Sequence, residues 1–129
     1  MIDSYAWVEY ATAGPAAEKV SEVLDSDEEL ATPASVIAEL KESMLRHKIE
    51  KNKIEAVLEY IRSRSQVISI ESIVAEEAGR INYENKKKIK GWDMLDSFVY
   101  ASALLNDAKV LTGDPHFKGM KNVVYIDST

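Results

Sequence analysis

Cysteine is absent from all 129 residues, which excludes disulfides and thiolate metal sites and suits a cytoplasmic protein. Long apolar runs are also missing. The longest nearly apolar stretch, "FVYASALL" at 98–105, is far too short to span a bilayer, so no membrane association is expected. The opening "MIDSYAWVEY" carries acids and no basic leader before an apolar stretch, which excludes a secretory signal. There is no internal repeat, low-complexity tract or Pro/Gly/Ser linker, so residues 1–129 read as one domain. Positive charge is scarce: the net charge of −6 argues against a protein that coats nucleic acid by bulk attraction. It does not exclude an enzyme that cuts nucleic acid, because such a site can itself be acidic and filled with cations. What is present, 46% apolar and 29% charged residues, is enough for a real core.

The hydrophobic pattern alternates between helical and extended periods. A very short strand is expected at the first residues, then a helical turn or two over "SYAWVEYATAG", ended by Gly14. Pro15 opens a second helix through Ala17, Val20, Val23 and Leu24. "ELAT" is a short strand closed by Pro33. "SVIAELKESMLRHKIEKN" predicts one helix with Ser35 as N-cap and Val36, Ile37, Leu40, Met44 and Ile49 near one face, followed by "KIEAVLEYIRSR". "QVISI" is a strand and "SIVAEEAGRINYENKKK" a helix with Ile73, Ala78 and Ile81 inward. "DMLDSFVYASALLND" is a helix in which Leu95, Phe98, Val99, Ser102 and Leu105 recur, and "AKVLT" and "NVVYI" are the last strands. Strands separated by helices imply right-handed βαβ units. The expected fold is a three-layer α/β/α sandwich with a mainly parallel sheet of about five strands. Ligands of such sheets bind beyond the carboxyl ends of the strands.

Two acids stand at such ends: Asp3 after the first strand and Asp114 after the fourth. Glu39, in "VIAEL", lies beside an apolar helix stripe. Asp96 lies near the start of a helix whose small residues Ala101, Ser102 and Ala103 allow close approach to the sheet. Each has an ordinary reading alone. Asp114 sits among the turn residues Gly113 and Pro115, Asp93 suits an N-cap, and an isolated Glu39 would be a solvated helix residue.

Taken in order, "IDSYAWVEY" with Asp3-Ser4, "VIAEL" with Glu39, "LDSFVYASAL" with Asp96 and "KVLTGDPHF" with Thr-x-Asp around Asp114 resemble the PIN domain family. At this length the chain looks most like the VapC-type toxins of toxin–antitoxin pairs. The resemblance implies a PIN-like fold and an endoribonuclease whose clustered acids bind Mg2+ (or Mn2+) to hydrolyse RNA. Carried over, the metal-binding and catalytic acids are Asp3, Glu39, Asp96 and Asp114, with the Ser4 and Thr112 hydroxyls in support. It also implies a small antitoxin protein laid across a groove, with Trp7, Tyr10 and the helices at 35–65 as candidate surfaces, and a homodimer. Two features depart from the family pattern. Only two residues precede Asp3, so either the strand is truncated or the natural start lies upstream. Tyr100 stands where a small residue is usual, which implies local repacking.

The chemistry explains the acids. Carboxylates held about 5 Å apart repel by roughly 3 kcal/mol per ionised pair at an effective dielectric of about 20. Such a cluster holds either protons or cations. An all-oxygen donor set favours a hard cation that also accepts phosphate oxygens and acidifies a water. Asp3, Asp96 and Asp114 are expected to hold the principal metal, Asp114 through water if not directly, while Glu39 orients or deprotonates the attacking water.

Local basic charge would have to find the RNA. "ENKKKIKGWD" offers Lys86, Lys87, Lys88 and Lys90, with Trp92 placed to stack on a base; the ordinary alternative is a solvated helix end with Trp92 in the core. Arg46, His47, Lys48, Lys51 and Lys53 read as a solvated junction, and His116 as a surface residue rather than a metal ligand. Two rival functions remain. One is a PIN-fold module that binds RNA or protein without cutting. The other is a receiver-like domain, disfavoured because "QVISI" runs into Glu71 and "NVVYI" into Asp127, where a phosphate-accepting Asp and a Lys would be needed.

Overall fold

A computed structural model of the chain describes residues 1–127. Two parallel ribbons form the sheet: β1 (Ala31–Pro33) beside β2 (Gln66–Ile68), and β3 (Val110–Thr112) beside β4 (Val123–Tyr125). Residues 1–3 join the ribbons. Ile2 forms a parallel bridge with Leu111, and its N–H donates to the Ala31 carbonyl at 2.8 Å. The Met1 carbonyl accepts from Leu111 at 2.8 Å, and the Met1 ammonium donates to the Lys109 carbonyl at 2.8 Å. The order across the sheet is therefore β2, β1, residues 1–3, β3, β4. This is the expected parallel, three-layer α/β/α sandwich, although each strand is only a few residues long. The chain winds one way from residues 1–3 to β1 and β2, then returns to the other side for β3 and β4. The reversal lies between residues 1–3 and β3, which is where an open α/β sheet binds its ligands.

Among the described residues six helices cover the sheet: α1 (Ser4–Thr12), α2 (Ala17–Leu24), α3 (Ala34–Arg46), α4 (Lys51–Arg64), α5 (Ser72–Asn85) and α6 (Met94–Leu105). Their apolar stripes mostly follow the periodicity, with four differences. The helix expected through residues 35–52 stops at Arg46, because Lys48 takes a left-handed conformation (φ 57°), so Ile49 packs from the turn instead of from α3. Ser35 is not the N-cap. Pro33 holds that place, and the buried Ser35 hydroxyl has no hydrogen-bond partner. Ile73 faces outward, 61% exposed, and the inward face of α5 is Val74, Ala78 and Ile81. In α6, Leu95 and Leu105 are exposed, and the buried face is Asp96, Ser97, Val99, Ala101, Ser102 and Ala103. Small side chains let this helix pack on α5, α3 and the strands β1 and β3 at once, a requirement that outweighs the leucine spacing.

The core is anchored by Trp7, Trp92 and Phe117, all essentially inaccessible. Trp92 packs on Phe117 with ring centroids 5.1 Å apart and donates Nε1–H to the Ser97 hydroxyl at 2.7 Å. Burying roughly 200 Å2 of indole at about 25 cal/mol/Å2 is worth about 5 kcal/mol. Stacking on a base returns only ~1–3 kcal/mol, so Trp92 belongs to the core and not to an RNA platform. Trp7 is likewise buried, with Nε1–H donated to the Thr32 hydroxyl at 3.1 Å, and offers no docking surface. Beside it, Tyr10 stacks on Tyr60. Among the described residues no helix is long and apolar enough to cross a membrane.

Candidate active site

Asp3 follows the central strand and caps α1, its Oδ1 accepting from the Ser4 N–H at 2.8 Å. Its Oδ2 accepts from the Thr112 hydroxyl at 2.8 Å. The side chain is buried, and that desolvation raises its pKa to about 7. The two hydrogen bonds resist the shift, while the charges of Glu39 and Asp96 add to it.

Asp96 is brought in by the small-residue face of α6. It forms a reciprocal cap with Asp93: Asp93 Oδ1 accepts from the Asp96 N–H at 3.0 Å, and Asp96 Oδ2 from the Asp93 N–H at 3.2 Å. The expected N-cap role of Asp93 is thus met, and its carboxyl stays exposed. Burial raises the Asp96 pKa to about 6, with the Asp93 backbone N–H and His116 opposing and the Asp93 and Asp114 charges contributing.

Asp114 is positioned by its neighbours. Thr112 ends β3 and accepts the Asp114 N–H on its hydroxyl at 3.0 Å, the same hydroxyl that donates to Asp3. Gly113 is fixed by crowding: a Cβ there would lie 2.4 Å from Tyr5 Cε1 and 2.5 Å from the Ile126 carbonyl oxygen. Asp114 then caps a single 3-10 turn, Pro115–Phe117, with Oδ1 accepting from the His116 N–H at 2.9 Å. Glu39 approaches from α3, half-buried next to Leu40. Burial raises its pKa, a hydrogen bond from the Ser4 hydroxyl resists this, and the charges of Asp93, Asp114 and Glu42 push it further.

The structure thus brings all four acids to one end of the sheet at the strand-order reversal. The tightest group has a different membership. His116 Nδ1 lies 2.9 Å from Asp96 Oδ2 and 3.5 Å from Asp114 Oδ1. Asp96, Asp114 and His116 each offer a ligand atom within 4.8 Å of the others. His116 is therefore not the free surface residue its loop position suggests. Burial opposes charging its ring, but the bond to Asp96 and the charges of Asp114, Asp96 and Asp93 outweigh it and the pKa is raised. The signal was local: a 3-10 turn capped by Asp114 returns the residue two places on toward the capping carboxylate. This donor set suits a divalent cation, since two carboxylates and an imidazole converge and burial raises the proton affinity of Asp96 within the set and of Asp3 beside it.

The lysines Lys86, Lys87, Lys88 and Lys90 are exposed, with Lys87 Nζ 3.8 Å from the Tyr83 ring centre. The next residue, Gly91 (φ +85°), lies against His116, where a Cβ would come within 2.7 Å of Nε2. The basic run therefore borders the acids. Arg46 pairs with Glu42 in solvent, consistent with a solvated junction. A separate concavity of about 720 Å3, lined by Met1, Ala31, Gln66 and Lys109, opens at the amino ends of the strands and contains none of the four acids.

The PIN domain profile matches residues 1–123. No curated protein matches the sequence. Similar solved structures include the following two chains. A chain of a toxin–antitoxin complex from Klebsiella pneumoniae is 18% identical, with 95% of this chain and 93% of that one covered and a TM-score of 0.73. A chain of VapBC2 from Rickettsia felis, crystallised with a DNA fragment of its promoter, is 19% identical, with 98% of each chain covered and a TM-score of 0.78. By its sequence profile, its parallel sheet and its acids at the strand-order reversal, this chain belongs to the PIN domain family.

Proposed function

We propose that the protein is a divalent-metal-dependent endoribonuclease of the VapC type, the toxin of a type II toxin–antitoxin pair. One observation carries this reading: Asp3, Glu39, Asp96 and Asp114 converge at the strand-order reversal, where burial holds two of them, Asp3 and Asp96, as weak acids. A PIN fold that only bound RNA or protein would gain nothing from buried acids that repel one another and cost stability.

The geometry supports a role for each residue. Asp96 and Asp114, with Asp3 behind them, would hold Mg2+ (or Mn2+). The cation supplies charge neutralisation at the scissile phosphate and lowers the pKa of water. Thr112 holds Asp3 and the Asp114 backbone in register. Glu39, its proton affinity raised by burial, is poised to take a proton from the attacking water. Ser4 keeps Glu39 aimed at the cluster. Lys86, Lys87, Lys88 and Lys90 bind the RNA backbone beside the acids.

A small antitoxin protein is part of the reading, supported by similar chains found in a toxin–antitoxin complex and in VapBC2. So are a cytoplasmic setting and a homodimer, the latter measurable by light scattering against the 14.4 kDa chain mass. The test is incubation of purified protein with single-stranded RNA in Mg2+ or Mn2+, with and without EDTA. Cleavage that needs the cation supports the reading. Cleavage unaffected by EDTA, or RNA binding without cleavage at any metal concentration, would overturn it.

A further inference from the structure

We infer that His116 supplies a nitrogen ligand to the cation held by Asp96 and Asp114, so that the site prefers Mn2+ to Mg2+. The inference rests on the metal-dependent reading above and concerns one residue to which that reading gives no role.

Geometry comes first. Two donors in adjacent positions on an octahedral cation with bonds of about 2.1 Å lie about 3.0 Å apart. His116 Nδ1 is 2.9 Å from Asp96 Oδ2 and 3.5 Å from Asp114 Oδ1, close to that separation without rearrangement. The ring is also held in place. The His116 backbone N–H donates to Asp114 Oδ1 at 2.9 Å, and the next residue, Phe117, is buried in the core. On the other side Gly91 leaves room that any side chain would fill, a Cβ falling 2.7 Å from Nε2. Gly91 takes φ +85°, a conformation that favours glycine for its own reasons. The imidazole stands at the mouth of the cluster, its side chain 30% exposed, where an entering cation meets it.

The chemistry of the donor follows. Nδ1 can ligate only as a neutral lone pair, with the ring proton on Nε2. Mg2+ is a hard ion that keeps oxygen ligands and sheds water reluctantly. A first-row transition ion accepts imidazole more readily. Replacing one oxygen donor by nitrogen therefore shifts the balance toward Mn2+.

Mn2+ itself is the probe. It is titrated into the full chain and followed by the loss of the free-ion electron paramagnetic resonance signal, with pulsed measurements for nitrogen coupling. Wild type, His116→Ala and His116→Gln are compared, each checked for an unchanged melting transition. The expected result is nitrogen modulation in wild type that disappears in both variants, with Mn2+ binding weakened about tenfold or more and Mg2+ competition changed less. Bound Mn2+ without nitrogen modulation, or modulation that persists in His116→Ala, overturns this inference and leaves the nuclease reading standing. Failure of wild type to bind Mn2+ at all overturns both.

Discussion

The Thr112 hydroxyl donates to Asp3 Oδ2 at 2.8 Å, joining residues 109 positions apart in the chain. The same oxygen accepts the Asp114 N–H at 3.0 Å, so one side chain sets the distance between the first and last acids of the cluster. Thr112→Val keeps the shape and removes both bonds. It leaves a buried carboxylate and an amide short of a partner, which costs about 1–3 kcal/mol each. Thermal melting is expected to fall accordingly and Mn2+ affinity to drop, whereas Thr112→Ser restores both. Equal melting and metal binding in Thr112→Val would remove Thr112 from the site.

The buried acids make stability depend on pH. Asp3 and Asp96 titrate near 7 and 6 in the fold, against 3.8 ordinarily. Between those limits the folded state binds more protons than the unfolded one, so stability falls as pH rises through this window. The raised His116 pKa acts in the same direction at its upper end. Metal-free protein is expected to melt higher at pH 5 than at pH 7.5, with Mg2+ or Mn2+ recovering the difference at pH 7.5 by replacing the protons. A melting temperature that climbs with pH in EDTA would contradict these assignments.

The lysine run and Trp92 separate by measurement. Replacing Lys87, Lys88 and Lys90 with Ala together is expected to lower the slope of log affinity for single-stranded RNA against log salt by about 2, from roughly 0.7 per phosphate contact, with little change in melting. Trp92→Ala is expected to cost about 3–5 kcal/mol of stability through the cavity it leaves. An unchanged salt slope in the triple variant would move RNA binding to another face.

Glu39→Gln separates the proposed base from the metal ligands. Turnover is expected to fall by about 10²–10⁴, while Mn2+ binding measured by paramagnetic resonance stays within a few-fold of wild type. Loss of Mn2+ binding in this variant would make Glu39 a ligand instead.

The layered parallel fold was legible in the sequence because strand, helix and turn signals change sharply at Asp3, Pro33 and Asp114, whereas the set of four acids was picked out by the resemblance of its order to the PIN domain family. What escaped was tertiary. In the helix after Asp93 the spacing misled at Leu95 and Leu105, which are exposed, while Val99 and Ser102 of the same stripe are buried and the small residues Ala101, Ser102 and Ala103 allow the close approach expected of them. Ser35 has the chemistry of a cap, but Pro33 already supplies the extended entry to α3. Trp92 beside a lysine run reads either as an RNA platform or as core, and its burial against Phe117 decides for the core. His116 carries no periodic signal, and its contact with Asp96 depends on where a helix 20 residues earlier begins.

The central claim is that these acids hold a cation for RNA cleavage, and Asp96→Asn tests it most directly. The amide keeps the shape and removes a buried charge among like charges, so the variant is expected to melt no lower than wild type at pH 7.5 in EDTA. Its Mn2+-dependent cleavage of single-stranded RNA is expected to vanish. A folded Asp96→Asn protein that cleaves RNA at the wild-type rate would contradict the account.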